Sequence, residues 1–362
     1  MSEILKVFAR SPYIVAVNEP LQTEVKIEIS ISNEINTLPN SPQYTLIKTI
    51  PSSNLTEIIF DISPYFKEFI NNSTPQTITD NIGNLNTNEH AFCEVRVFVN
   101  YGSGFSLLKY DYYIVTNGYT SFEDGSNFDN SNNGIYARSG TYYYNPSEII
   151  AETIGHIGLF KVTGTSVITS AVYTNLVTGS VSTINLNGVG SGPAQFRVIP
   201  RVLSNNYFDG NNVQLKSGSN VVVNMDYKPI IECKYTPVKV DYIDKFGMWN
   251  FLWFFKSSNE NISTTSKQYN LKQPGQNYNP IYGISKILNK TGRKTFTLNT
   301  GWMEEDNNFQ VEELMLSERV LVDGKPAILK TDKTELFKHL NNKQFSYQIE
   351  FELAYDLINN VK

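Results

Sequence analysis

Three histidines, His90, His156 and His339, are all the imidazole the chain possesses. No two are close in sequence and no His-Glu-x-x-His pattern occurs, so neither a helical zinc pair nor a histidine general base is expected. His156, flanked by glycines in Ile154-Gly-His-Ile-Gly158, reads as a strand-end residue. No serine stands in a Gly-x-Ser-x-Gly elbow. Gly188-Val-Gly-Ser-Gly192 begins like a dinucleotide fingerprint, but Pro193 takes the place of the third glycine and no helical pattern follows. Lys294-Thr295 follows Gly292-Arg293, which breaks the Gly-Lys-Thr adjacency of a phosphate loop. Glu304, Glu305 and Asp306 cluster. Paired carboxylates run glycoside hydrolysis only when a cleft splits their pKa values, and a solvated helix start accounts for acids here more simply.

Two constellations could bind rather than react. Asp129-Asn-Ser-Asn-Asn-Gly134 puts oxygen-bearing side chains of Asp129, Ser131 and Asn133 at loop positions 1, 3 and 5, with glycine at 6, as a calcium loop does. Position 12 is Gly140 instead of a bidentate glutamate, so the ligand set needs a carboxylate from elsewhere, Glu123 or Asp124 being the nearest. An Asn/Gly-rich turn explains the run without metal. Trp249, Trp253 and Trp302 could form a stacking platform for a sugar, but tryptophans in so apolar a run read first as core. Cys93 and Cys233 lie 140 positions apart in alternating runs and read as ordinary thiols of strands.

The elements that would position these groups are β-strands. Val25, Ile27, Ile29 and Ile31 alternate with Lys26, Glu28 and Ser30, and Val95, Val97 and Val99 alternate with polar neighbours. Between them, Ser63 before Pro64 predicts a short helix with a serine cap. Residues 119–146 turn to Gly, Asn, Ser, Asp and Tyr, and read as a surface loop or contact arm. Short glycine-punctuated β runs follow to about 228, as in a small sandwich or barrel. Residues 239–255 read as a strand, a turn at Gly247 and a heavily aromatic strand. Glu304–Ser317 reads as an acidic helix. Asp323-Gly324 between apolar runs signals a hairpin. Phe345, Tyr347, Ile349, Phe351, Leu353 and Tyr355 alternate with polar residues, forming either a sandwich core or a face shared with another chain.

The expected fold is therefore mainly β: two or three β-sandwich or barrel-like domains with a few short helices, divided at 1–118, 119–228 and 229–362. Charged residues are 18% of the 362, against about 25% in an average domain, and the net charge is −5. That balance provides no basic footprint for nucleic acid. The N-terminus lacks a basic stretch followed by an apolar one, so no export signal is expected. No apolar run approaches the ~18 residues of a membrane helix.

The runs Asp244-Lys-Phe-Gly-Met-Trp-Asn-Phe-Leu-Trp-Phe-Phe255, Thr300-Gly-Trp-Met-Glu-Glu305, Val311-Glu-Glu-Leu-Met-Leu-Ser-Glu318, Val322-Asp-Gly-Lys-Pro326 and the ending from Tyr347 to Asn360, with Phe8-Ala-Arg-Ser-Pro-Tyr-Ile-Val15 at the start, carry a resemblance. They resemble virion structural proteins of crAss-like and related tailed bacteriophages of Bacteroidota, over residues 1–30 and 230–362; the middle of the chain departs from that pattern. The resemblance implies a structural part of the tail, neck or baseplate, present as a ring of identical copies beside other virion proteins. It implies a virion location after synthesis in the host cytoplasm, and it carries no catalytic residue and no cofactor. A receptor- or carbohydrate-binding fibre or adhesin module is the alternative. Tyr142, Tyr143 and Tyr144 in the arm, with Phe345 and Tyr347 in the last strand, are the candidate subunit-interface residues, because tyrosine clusters bury large area at modest entropy cost. Asp129, Ser131 and Asn133 generate one test: millimolar Ca²⁺ should leave the melting temperature unchanged, and a rise that Asp129→Ala removes would establish the calcium loop.

Overall fold

The structure is a computed structural model describing residues 4–358 except 36, 51–56, 73, 77–79, 86, 128–134, 147–154, 163–167, 187–193, 272–280, 282 and 337–343. The candidate calcium loop and His339 lie outside the described residues. The fold is mainly β, with several sheets and two short α-helices.

The first segment holds β1 (Ile4–Phe8), β2 (Ile14–Asn18), β3 (Glu24–Ser32), β4 (Tyr44–Thr49), β5 (Glu57–Asp61), α1 (Pro64–Lys67), β6 (Gly83–Asn84), β7 (His90–Asn100) and β8 (Phe105–Thr116). A five-stranded sheet runs β1-β8-β7-β3-β4, and the hairpin-like pair β2-β5 packs across it. The alternation in β3 and β7 does what its period requires: Val25, Ile27, Ile29, Ile31, Val95, Val97 and Val99 meet Val15, Val17, Ile58 and Phe60 in one core. Helix α1 is capped differently from expectation. The Ser63 side chain makes no cap; the Asp61 carboxylate instead accepts from both the Ser63 amide (3.1 Å) and its hydroxyl (2.8 Å).

The middle segment holds β9 (Ile135–Tyr136), β10 (Gly140–Tyr144), β11 (His156–Val162), β12 (Ser170–Asn175), β13 (Val181–Asn185), β14 (Ala194–Pro200), β15 (Asn211–Ser217) and β16 (Asn220–Pro229). They form the sheets β10-β16-β15-β12-β13 and β6-β14-β11-β9. One strand of the first segment, β6, thus completes a sheet of the second.

The last segment holds β17 (Val238–Ile243), β18 (Trp249–Phe254), β19 (Asn259–Asn270), β20 (Ser285–Asn299), β21 (Met303–Glu304), α2 (Asn308–Met315), β22 (Val320–Val322), β23 (Lys325–Leu329), β24 (Gln344–Phe345) and β25 (Gln348–Leu353). Seven strands run β18-β17-β22-β23-β25-β20-β19. The Asp323-Gly324 hairpin forms as its residues dictate, with φ +46° and +72° at the two turn positions. Two expectations change. The acidic helix is shorter, beginning at Asn308 after a single tight turn over Glu305–Asn307. The last strand breaks at Ser346–Tyr347: β24 pairs with β21, and β25 joins the large sheet.

The segments share cores. Phe8, Leu85, Phe92 and Ile114 of the first meet Tyr136, Phe196 and Val198 of the second and Met248 of the third. Strand β18 is buried on both faces: Phe251 and Trp253 face the middle sheets, while Leu252 and Phe254 face the C-terminal core. Backbones also touch. The Thr116 hydroxyl donates to Phe246 O (2.7 Å), and the Tyr119 amide to Lys245 O (2.8 Å). A Cβ on Gly118 would press on the Phe8 ring and sit 2.6 Å from Lys245 O, and a Cβ on Gly247, at φ +81°, would sit 2.6 Å from the Asn117 and Gly118 amides. Gly118→Ala should therefore destabilise by about 1–3 kcal/mol, as overpacking does; a thermal or denaturant midpoint equal to the wild type would show that the two backbones can separate.

Candidate functional site

The proposed interface residues lie mostly inside their own chain. Tyr142 and Tyr144 point to one face of β10, which pairs in parallel with β16, and both are buried. Tyr142 stacks on Tyr227 at 5.1 Å and donates its hydroxyl to Arg138 O at 3.0 Å. The Tyr144 hydroxyl donates to Tyr207 O. Phe345 and Tyr347 are buried too, the Tyr347 hydroxyl donating to Asn308 Oδ1 at 2.6 Å. Side chains so enclosed cannot anchor a neighbouring subunit, and that assignment is corrected for these four. Tyr143, on the opposite face of β10, is half-buried; burial, then the nearby Glu304 carboxylate, pushes its hydroxyl up to about 12. The described parts of the arm also lie on their own chain. Ser11 Oγ accepts from the Thr120 amide (2.7 Å), and the Asn127 side chain donates to Ile14 O (2.6 Å).

The other sequence candidates do not converge. Trp249 and Trp253 are core residues, whereas Trp302 is 66% exposed, so no platform forms. His90 stacks on Phe196, and buried His156 sits 3.7 Å from the Glu89 carboxylate. Cys93 is buried and Cys233 exposed, and the two are unlinked. Among the described residues, no cluster of His, Cys, Asp and Glu could hold a metal, and no helix is long and apolar enough to cross a membrane.

Sequence reasoning missed a buried polar junction between the middle and last segments. Arg201, just past β14, donates to His156 O (3.0 Å), Asn250 Oδ1 (2.7 Å) and Trp249 O (3.0 Å). Asp244 and Glu313 line the same enclosed cavity of about 10 Å³, room for about one water. The Asp244 carboxylate folds the turn after β17 by accepting from the Phe246 and Met248 amides, both at 2.9 Å. Burial pushes Asp244 up to about 6 despite those bonds and the nearby Arg201 charge. Burial, followed by the Asp244 charge, raises Glu313 well above the carboxylate range; its Oε1 has no hydrogen-bond partner. The Asp-x-x-Gly turn at Asp244–Gly247 was the one sequence signal for this cluster. The enclosure leaves no room for a substrate, so the junction works as a structural tie.

The exposed features are different in kind. Strand β19 is exposed over its whole length, and β20 is exposed from Ser285 to Lys290. β20 pairs with β25 only at Thr295–Asn299, so its outer half has β19 as its sole strand partner among the described residues, a two-stranded ribbon beyond the sheet. A second edge lies at Phe105–Asp111 of β8, because the described residues of β1 pair only with Tyr112–Thr116. Phe105, Leu107, Leu108 and Tyr110 are exposed there. A cleft of about 660 Å³ opens between β10, β16 and α2, lined by Asp226, Glu305, Asp306 and Glu312, with Arg138 as its one cation.

No protein-family model matches the chain, and no curated protein matches it. Among solved structures, it is similar to dimeric latent PorU from Porphyromonas gingivalis, at 13% identity and a TM-score of 0.19, over 82% of this chain and 30% of that one. The chain thus spans under a third of that protein's length, and a score so low carries no argument about fold or activity.

The raised carboxyls set a pH dependence. A group held protonated by the fold binds more protons folded than unfolded, so its contribution is full below the unfolded value near 4 and is lost as pH rises toward the folded value. For Asp244 that window closes at about 6, while for Glu313 it extends further up. Glu313→Gln mimics the neutral acid, so its melting temperature relative to wild type should climb between about pH 5 and pH 8. Parallel curves across that range would show that Glu313 does not remain protonated.

Proposed function

We propose that the chain is a structural subunit of a tailed-phage particle, part of an oligomeric ring in the tail, neck or baseplate that also contacts other virion proteins. The observation that carries the assembly reading is the freestanding ribbon of β19 and β20. An isolated two-stranded hairpin is at best marginally stable in water, and an uncovered strand edge is an invitation to pair. This ribbon nonetheless projects with Ile262, Tyr269, Ile287 and Leu288 exposed, Leu288 at 70%. The edge of β8 at Phe105–Asp111, unpaired by β1 among the described residues, gives a second surface of the same kind. Two unlike docking surfaces on one chain are what a head-to-tail contact needs, and such contacts close into rings when the rotation permits. The phage setting comes from the sequence resemblance of the first 30 and last 133 residues.

The test is direct. Purified protein examined by native mass spectrometry should show a closed oligomer of the 41.0 kDa chain, and averaged electron-microscopy density of the parent particle should place copies in a ring. A single copy per particle, or density at the tip of a fibre, would favour the receptor-binding alternative.

A further inference from the structure

The ribbon has a charge opposite to the rest of the molecule. Between Asn259 and Asn299 the sequence carries five lysines, Arg293 and one acid, Glu260, although the chain as a whole has a net charge of −5. Two of these cations are already neutralised. Arg293 holds Asp356 (2.8 Å) and Glu352 (3.2 Å), and Lys294 pairs with Glu260. Lys267, Lys286 and Lys290 are exposed on the outer half and meet no carboxylate among the described residues. Cross-strand register sorts them. Tyr269 faces Lys286 across the ladder and alternates with Lys267, so these three share one face. Lys290 shares the other with Ile287, through their partners Ser266 and Gln268.

The cleft between β10, β16 and α2 has the reverse character. Its four carboxylates outnumber Arg138 by three charges, and Arg138 lies over the Phe309 ring at 4.4 Å. Asp306 and Glu312 are exposed and enter no ion pair among the described residues. These acids do not converge as metal ligands. They spread along an open groove with an apolar floor at Phe309 and a rim residue at Leu336, a shape and charge that suit a basic strand with apolar side chains.

We infer that the outer half of the β19–β20 ribbon docks into the Asp226/Glu305/Asp306/Glu312 cleft of a second copy of this chain. The inference rests on the assembly reading above and names its contact. Among the described residues no ion pair joins the two surfaces within one chain, so their complementarity is available between chains. The surfaces differ, so the contact is head-to-tail and propagates around a ring. Docking covers the aliphatic residues that the ribbon leaves in water, and opposite fields draw the two surfaces together before contact. Attraction between solvent-exposed charges is screened over about 10 Å at 0.1 M salt, so the association weakens as salt rises.

Charge exchange tests it on the full chain. The ribbon variant is Lys267→Glu/Lys286→Glu/Lys290→Glu, and the cleft variant is Asp306→Lys/Glu312→Lys. Every substituted side chain is exposed, and unchanged circular dichroism and melting temperature confirm each fold. In sedimentation at low ionic strength, wild type should be oligomeric and each variant alone should fall to the 41.0 kDa monomer. An equimolar mixture of the two variants should regain an oligomer of alternating subunits, because one of its two hetero-contacts pairs the reversed ribbon with the reversed cleft and the other pairs the unaltered ribbon with the unaltered cleft. Wild-type oligomers that persist unchanged in both variants would overturn this docking while leaving the assembly reading intact. A monomeric wild type would overturn docking between copies, and the particle density would then decide the assembly reading separately. If ribbon reversal spares self-association but blocks incorporation into particles, the ribbon's partner is another virion protein and the inference fails.

Discussion

The buried guanidinium of Arg201 constrains most of this structure. It follows β14 in the middle segment, yet it donates to Trp249 and Asn250 at the start of β18. A buried charge without partners is costly, and removing one side of such an arrangement typically costs about 3–5 kcal/mol. The need to satisfy this side chain therefore adds to the shared apolar cores in fixing the middle sheets against the C-terminal sheet. Aromatic rings pack around it: Tyr142 and Phe251 lie under the guanidinium at 5.7 and 5.5 Å, and Tyr227 stacks on Tyr142. Asp244 supplies countercharge through space while its oxygen shapes the turn that reaches back to Gly118. The tie thus connects all three parts of the chain, the first through the Gly118–Gly247 contact and the other two directly.

A similar logic governs Lys6 beside Phe246 of the same turn. It is buried, donates to Ile135 O (3.1 Å) and lies 3.9 Å from the Tyr136 ring centroid, with Phe8 and Phe246 further out. Aromatic faces accept a cation that a purely aliphatic core would reject. The high aromatic content read from the sequence has this structural use: it makes a core that tolerates the few charges on which the segments converge.

Local patterns were legible because their causes are local. Alternation in β3 and β7 and the Asp323-Gly324 turn depend on neighbours within a few residues, and both formed as read. The tyrosine run at 142–144 was misread because its fate depends on β16, more than 80 residues later in sequence. Period-2 geometry did imply that Tyr142 and Tyr144 share a face. Nothing nearby said whether that face met solvent or core. The break at Ser346–Tyr347 was hidden for the same reason: the apolar alternation runs on, but the Thr300 hydroxyl accepts from the Tyr347 amide at 2.9 Å, and β24 belongs to another sheet. The ribbon's exposure was equally illegible, since strand alternation does not reveal that the sheet ends beneath it.

The low charge content sharpens what the remaining charges can do. With charged residues only 18% of the chain, three lysines that meet no carboxylate among the described residues are not diluted by a mosaic of nearby acids. Lysine on an edge strand also discourages indiscriminate pairing, because another lysine-bearing edge is repelled. The same residues that keep β19 from stacking on itself therefore leave it free for an acidic surface, a discrimination between partners set by repulsion as much as by attraction. A ribbon that were merely hydrophobic would aggregate, and one that were merely charged would bind weakly at physiological salt. Ile287 and Tyr269 beside the lysines provide the apolar contact that survives screening, which is why the two properties occur together on one element.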